Sequence, residues 1–410
     1  MRSFTSAPRD GGEHEAAQVV AGAARHPVRG RGRARWIVRH PVDGATPSRP
    51  VACGRMEPTA HPGSARAARP RARDLGIVIG EFAPGPLDAI TDVPGVRVGH
   101  TTVRRHPDVH SGVTAVVPDT VGPRAPLPAG VFTGNGYGKL IGTTQLSELG
   151  TLETPVLLTS TLSAFRVADA VVGWMLERPD CADVRSLNPV VGDCNDGFLS
   201  DIRSRPVRAE HVRAALDQAT GGPVAEGCVG AGTGTGALGF KAGIGTASRT
   251  PELAGRRYTA GVLVQANFGG TLRVLGRTVT PRSLGLTGGT GPVAEHGSCM
   301  IVVATDAPLD ARQLTRVARR AVFALARTGA AYGHGSGDYA LAFGTRPAAG
   351  APPADAALGP LFEAVLDAVE EAVLNSLLAA TTTTGVAGHT LPALPADRLL
   401  DVLRGTSSGG

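Results

Sequence analysis

A chain of 410 residues, 42% of them hydrophobic and 19% charged, has enough apolar material for a sizeable core, and its length allows one large domain or two to three ordinary ones. Its net charge of +6 is unevenly placed: residues 1–73 hold 14 Arg against five acidic residues, so the remainder is slightly acidic and a nucleic-acid-binding core is disfavoured. No apolar run approaches the roughly 18–20 residues of a membrane span and no charged-then-apolar leader opens the chain, which predicts a soluble, cytoplasmic protein with no membrane partner.

In chain order, residues 1–73 carry Arg29-Gly30-Arg31-Gly32-Arg33 and scattered Pro, Gly and Ala, with too little clustered apolar surface to fold alone. They are expected to be a disordered extension, upstream of a true start at Met56. From Asp74 to residue 405 the chain reads as a single domain. Strands are predicted at 75–82, 96–102, 113–117, 156–159, 187–191, 258–268, 299–305 and 339–343, each an apolar or β-branched run bounded by Gly, Pro, Asn or Asp. Helices are predicted at 164–176, 310–327 and 358–378. In the last, Leu361, Val365, Leu366, Val369, Val373 and Leu377 recur at threes and fours, with Glu363, Asp367, Glu370 and Glu371 on other faces. Many strands and few helices without regular βαβα alternation predict an α+β layered domain. The five Cys have no metal-type spacing and read as reduced thiols, and no zinc site is expected. Only Lys139 and Lys241 stand against 39 Arg.

Polar or glycine-rich segments at strand ends are where sites form. Gly134-Asn135-Gly136-Tyr137-Gly138-Lys139 is a turn that could line a pocket. In residues 188–197 polar groups cluster after a buried strand: Asp193 suits an ammonium group and Asn195 a hydrogen bond to substrate. The glycines of 230–239 include a formal G-x-G-x-x-G but lack a following helix and a ribose-binding acid, so close backbone packing or amides facing a substrate fit better than a dinucleotide. In Gly333-His334-Gly335-Ser336-Gly337-Asp338, Ser336 and Asp338 lie two apart and share one side of an extended chain. They could orient an amine or relay its proton, and His334 has no partner by spacing. Asn267, closing its strand, could donate to an oxyanion, a role worth about 10²–10³ in rate.

Gly297-Ser298 enters the apolar run 299–304. A Ser hydroxyl can attack its own preceding carbonyl through a five-membered ring, and Gly on the acyl side tolerates the backbone geometry this needs. Hydrolysis of the resulting ester would leave Ser298 as a terminus whose α-amine, of pKa near ~8, accepts a proton at neutral pH. A Gly-Ser pair also ends an ordinary loop before a core strand, and the dipeptide alone leaves both readings open.

Taken in order, Ile90-Thr91-Asp92-Val93-Pro94-Gly95-Val96-Arg97-Val98-Gly99-His100, Gly134-Asn135-Gly136, the 189–197 stretch, Gly243-Ile244-Gly245-Thr246-Ala247-Ser248-Arg249, Val264-Gln265-Ala266-Asn267, Gly297-Ser298 and Gly335-Ser336-Gly337-Asp338 resemble the DmpA-like family of self-processing aminopeptidases, which includes L-aminopeptidase/D-esterases and β-peptidyl aminopeptidases. The resemblance implies a four-layer αββα sandwich of the DmpA/ornithine-acetyltransferase type. It implies cleavage between 297 and 298 and assembly of the resulting α/β heterodimers into homo-oligomers. Ser298 would be the nucleophile, Asn267 the oxyanion-stabilising amide, Ser336 and Asp338 the groups near the nucleophile's amine, and Asp193 the acid that holds a substrate ammonium. Gly134, Asn135 and Asn195 complete the expected substrate-binding set. Some members carry Tyr where this chain has Asn195, and Glu where it has Asp193 and Asp338, which leaves an oxyanion role for Asn195 open. The expected substrate is a small peptide, aminoacyl amide or ester, with no metal or organic cofactor. An acyltransferase or oligoamide hydrolase of the same fold, or an unprocessed binding protein, is the alternative.

Overall fold

The computed structural model describes residues 69–286, 297–346 and 351–405. By its contacts the chain divides into units 1–64 and 65–410, and the first unit lies outside the described residues, as do Met56, Glu295 and His296. Eleven strands make the two large sheets: β1 (Val96–Arg105), β2 (Val109–Pro118), β3 (Leu127–Gly136), β4 (Leu140–Ile141), β5 (Thr151–Leu152), β6 (Val156–Ser160), β7 (Val190–Cys194), β8 (Ile244–Arg249), β9 (Ala260–Asn267), β10 (Ser298–Thr305) and β11 (Gly337–Gly344). One sheet has the order β1-β2-β6-β7-β4 and the other β8-β9-β10-β11-β3-β5. The helices are α1 (Thr143–Glu148), α2 (Ala164–Leu176), α3 (Ala209–Asp217), α4 (Ala311–Thr328), α5 (Gly359–Ala379) and α6 (Ala396–Arg404).

Side-chain alternation along the strands builds four layers. In β10, Cys299, Ile301 and Val303 pack on Leu314, Val317 and Leu325 of α4 and on Val365, Val369 and Val373 of α5. Its alternate residues Met300, Val302 and Ala304 face the other sheet and meet Val116, Leu158 and Val190. Beyond that, Val113, Ala115, Leu157 and Val191 turn outward onto Val167 and Val171 of α2 and Val212 and Leu216 of α3. The arrangement is an αββα sandwich, and strands buried on both faces explain why 299–304 is apolar without alternation. Each fully buried Val, Leu or Ile there contributes about 1.5–3 kcal/mol. Both sheets are mainly antiparallel, with one parallel pair each, β6 with β7 and β10 with β11. Each parallel pair is joined by a helix on the outer face, α2 and α4, as parallel strands require.

The predicted helices match closely. α4 starts one residue after Asp310, whose carboxylate accepts the Gln313 amide at 2.7 Å, and stops at Gly329 with φ 95°. Three expectations differ. Residues 75–82 form no strand: Ile77 and Ile79 are buried in the core, but the segment pairs with no sheet edge. Glu371, expected on a polar face of α5, is fully buried and meets Arg249 at 2.5 Å and Arg73 at 3.0 Å. Arg71 joins the same cluster through Glu226 at 2.8 Å and Asp88 at 3.3 Å, so buried acids on one side are matched by guanidinium groups on the other. Arg69, Arg71 and Arg73, grouped with the extension by composition, thus belong to the folded unit, with Arg69 also donating to the Leu378 carbonyl at 2.6 Å. In the 230–239 segment the backbone packs closely, and a Cβ on Gly234 would lie 2.1 Å from the His110 carbonyl oxygen.

Candidate active site

The ends of β10, β11 and β9 in one sheet and of β6 and β7 in the other converge on one edge of the sandwich. Ser298 is the first residue of β10, with Asn267 of β9 opposite it on one side and Gly337 of β11 on the other. By the alternation that sends Met300 and Val302 between the sheets, Ser298 shares their side. It lines a cavity together with Gly297, Gly335, Tyr137, Gly138 and Lys139, and with Thr161, Asp193 and Asn195 from the facing sheet. Ser298 is 4% exposed, and among the described residues its Oγ has no hydrogen-bond partner.

Asp193 is the penultimate residue of β7 and is almost fully buried. One carboxylate oxygen accepts the Lys139 backbone N–H at 2.5 Å and the other accepts the Thr161 hydroxyl. Burial raises its pKa, opposed by the Thr161 hydrogen bond and the Lys139 charge. Two residues on, the Asn195 side-chain oxygen accepts the Gly197 amide at 2.9 Å, an Asx turn that leaves its NH₂ uncommitted to that bond. Asp196 of the same turn is a buried anchor, accepting the Ser160 hydroxyl at 2.8 Å, and it stays outside the cavity lining.

Asn267 is held at both ends. Its oxygen accepts the Gly236 amide at 3.1 Å and its NH₂ donates to the Asn195 carbonyl at 3.0 Å, with a second N–H remaining. Ser336 donates to Asp338 at 2.9 Å, as their two-residue spacing suggested. Asp338 pairs in register with Cys299, one residue from the Ser298 position. Burial pushes the Asp338 carboxyl up to about 6, against the pull of Ser336 and the Cys299 amide. The carbonyl oxygen of Gly297 accepts the Gly337 amide at 3.1 Å. A Cβ on Gly297 would come within 2.9 Å of the Phe268 Cα, so only glycine fits without a shift.

Gly134 and Asn135 lie at the end of β3, on the far side of β11 from Ser298. Gly134 lines a separate hollow with Phe132, Val322 and Tyr332, and Asn135 donates to the Gly333 carbonyl at 2.6 Å, pinning the loop that carries Ser336. Neither lines the Ser298 cavity, whereas their neighbours Tyr137, Gly138 and Lys139 do. His334 is exposed, its ring 6.2 Å from that of Tyr137. Thr161 carries no sequence motif, whereas Lys139 belongs to the glycine-rich turn that could line a pocket, and it lines this one. Among the described residues no group of three or more His, Cys, Asp or Glu could hold a metal ion, and no helix is long and apolar enough to cross a membrane.

An αββα sandwich with a serine at the head of a central strand, opening on a cavity between its sheets, defines an N-terminal-nucleophile hydrolase. The profile of Peptidase family S58 matches residues 88–391, and the chain belongs to that family as an aminopeptidase. It is 42% identical over 381 residues to the beta-peptidyl aminopeptidase BapA of Sphingosinicella microcystinivorans, covering 83% of this chain and 94% of that protein. Among solved structures it is similar to the L-aminopeptidase D-Ala-esterase/amidase of Ochrobactrum anthropi, described as a variant of the Ntn hydrolase fold, with TM-score 0.73, 37% identity and coverage of 83% and 100%. The PH0078 protein of Pyrococcus horikoshii OT3 gives TM-score 0.75 and 43% identity, covering 82% of this chain and 100% of that one.

Proposed function

We propose that this aminopeptidase matures by cutting itself between Gly297 and Ser298, and that the freed Ser298 removes N-terminal residues from small peptides, amides or esters. The observation that carries the reading is the placement of Ser298: it heads a central strand, opens on the cavity that holds Asp193, and follows a carbonyl already gripped by the Gly337 amide at 3.1 Å. In maturation the Ser298 hydroxyl adds to the Gly297 carbonyl carbon while the Gly337 N–H supports the charge that develops on oxygen; the hydroxyl's proton passes to the Ser298 nitrogen as the C–N bond breaks, leaving an ester and a free amine, and water hydrolyses the ester. In turnover the α-amine of Ser298 takes the hydroxyl proton as Oγ attacks the substrate carbonyl. Asn267 presents its remaining N–H to the oxyanion, and Ser336 with Asp338 steadies the amine. The departing amine takes the proton back, and water releases the acyl group from Ser298. Asp193 holds the substrate ammonium, with Asn195 beside it, while Asn135 and Gly134 support the neighbouring loop from β3.

The names of the relatives support substrates with an L-, D- or β-configured first residue. Assembly of cleaved pairs into homo-oligomers and a cytoplasmic location, in keeping with the free thiols of Cys181, Cys194, Cys228 and Cys299, are part of the same proposal. Ser298→Ala tests it directly. The variant should remain one chain of 41.7 kDa without activity, while the parent yields a second chain beginning Ser-Cys-Met. Two chains in the variant would overturn the mechanism.

A further inference from the structure

Asp193 is not the only charge in the Ser298 cavity. Lys139 lines it too, from the loop after β3, half-buried at the mouth. Its backbone amide is committed to Asp193 at 2.5 Å, but among the described residues its ammonium makes no hydrogen bond or ion pair within 4.0 Å. The other lysine, Lys241, is fully buried and spends its ammonium on the Gly232 and Ala242 carbonyls at 3.1 and 2.7 Å. Lys139 therefore places a cation on a flexible four-methylene stem in the catalytic cavity, near enough to Asp193 for its charge to favour the ionised carboxylate.

We infer that Lys139 recognises a carboxylate of the substrate, so that the preferred substrates are short peptides carrying a negative charge near the scissile bond. The inference rests on the function proposed above. The cavity then holds both signs of charge: a carboxylate for the substrate ammonium and an ammonium for a substrate anion. An extended dipeptide places its two ends roughly 7 Å apart, so a compact zwitterion can present one end to each of the two charges that line the cavity. The anion is either the C-terminal carboxylate of a dipeptide or an acidic side chain of the first residue. Both present the same group to Lys139.

Three substrates separate these sources on processed enzyme: a neutral dipeptide with a free C-terminus, the same dipeptide amidated, and an amidated dipeptide whose first residue is acidic. The wild type should favour one of the two charged substrates over the neutral amide by about tenfold or more in kcat/KM, mainly through KM, as befits a charge-assisted hydrogen bond. That preference should shrink with added salt. Lys139→Met, which keeps the stem, should erase it, and Lys139→Gln should do the same, with the extent of 297–298 cleavage reporting that both fold. Equal use of all three by the wild type, or a preference that survives in both variants, overturns the inference and leaves the aminopeptidase reading standing. Failure of the wild type on every substrate despite full cleavage would instead overturn that reading.

Discussion

Replacing Asn267 by Asp separates what this residue does for the fold from what it does for the reaction. The substitution keeps an oxygen for the Gly236 amide, now at 3.1 Å from the Asn267 oxygen, but it removes the NH₂ that donates to the Asn195 carbonyl at 3.0 Å. One buried hydrogen bond is lost and a carbonyl is left facing a like charge, a cost of about 1–3 kcal/mol in stability. In the reaction the loss is larger in kind. The second N–H of the amide is the donor proposed for the oxyanion, and its removal costs about 2.7–4 kcal/mol in the transition state, or roughly 10²–10³ in kcat. The assay is hydrolysis of an aminoacyl p-nitroanilide, normalised to the amount of new Ser terminus, alongside a urea unfolding curve. Asn267→Ala also strands the Gly236 amide, so it should lose more stability than Asn267→Asp without a matching further drop in kcat. A normalised kcat for Asn267→Asp within about threefold of wild type would show that the oxyanion is held elsewhere and refute the assignment.

Two further outcomes follow from the same geometry. Ser336→Ala removes the hydroxyl that pulls the Asp338 carboxyl down, leaving burial to push it above about 6. In the proposed role the ionised carboxylate steadies the Ser298 amine, so activity should be lost as pH falls through this pKa and the acid limb of the pH–kcat profile should move to higher pH; an unmoved or lowered limb would contradict the role. Gly245→Ala puts a Cβ 1.9 Å from the Ala372 carbonyl oxygen and 2.8 Å from the Ser376 Cβ, so β8 and α5 must separate. Since backbone cannot swing aside, the cost should reach the upper part of the 1–3 kcal/mol range for overpacking, seen as a fall of several degrees in Tm. An unchanged Tm would mean that the β8–α5 contact is slack.

Much of the layered architecture was readable because its signals are local. The apolar run of β10 and the three-and-four spacing in α2, α4 and α5 survive in any context that buries them. β3 was missed because Pro128, Gly130 and Gly134 interrupt its apolar residues, and Gly130 is required where a Cβ would strike the Thr315 amide at 2.2 Å. β8, reading Ile244-Gly245-Thr246-Ala247-Ser248-Arg249, is polar for a buried strand because its hydroxyls and guanidinium find partners in Asp92 and Glu371, far away in sequence. The same holds for the site. Ser298, Asp193 and Asn195 were visible as polar residues at the mouths of apolar runs. Thr161 becomes significant only when two sheets face each other, and no spacing along one segment encodes that meeting.

If the proposed cut before residue 298 is made, the order of the larger sheet decides how the two pieces stay together. β10 and β11 come from the later piece, yet they are flanked by β9 on one side and β3 on the other, both from the earlier piece. The two polypeptides are interlocked like fingers, and neither can slide free without tearing two ladders and uncovering the hydrophobic layer beneath α4 and α5. A nicked molecule should therefore melt as a single body, while its recovery after denaturation becomes an encounter between two separate strands of protein, second order in concentration where the uncut precursor needs no partner.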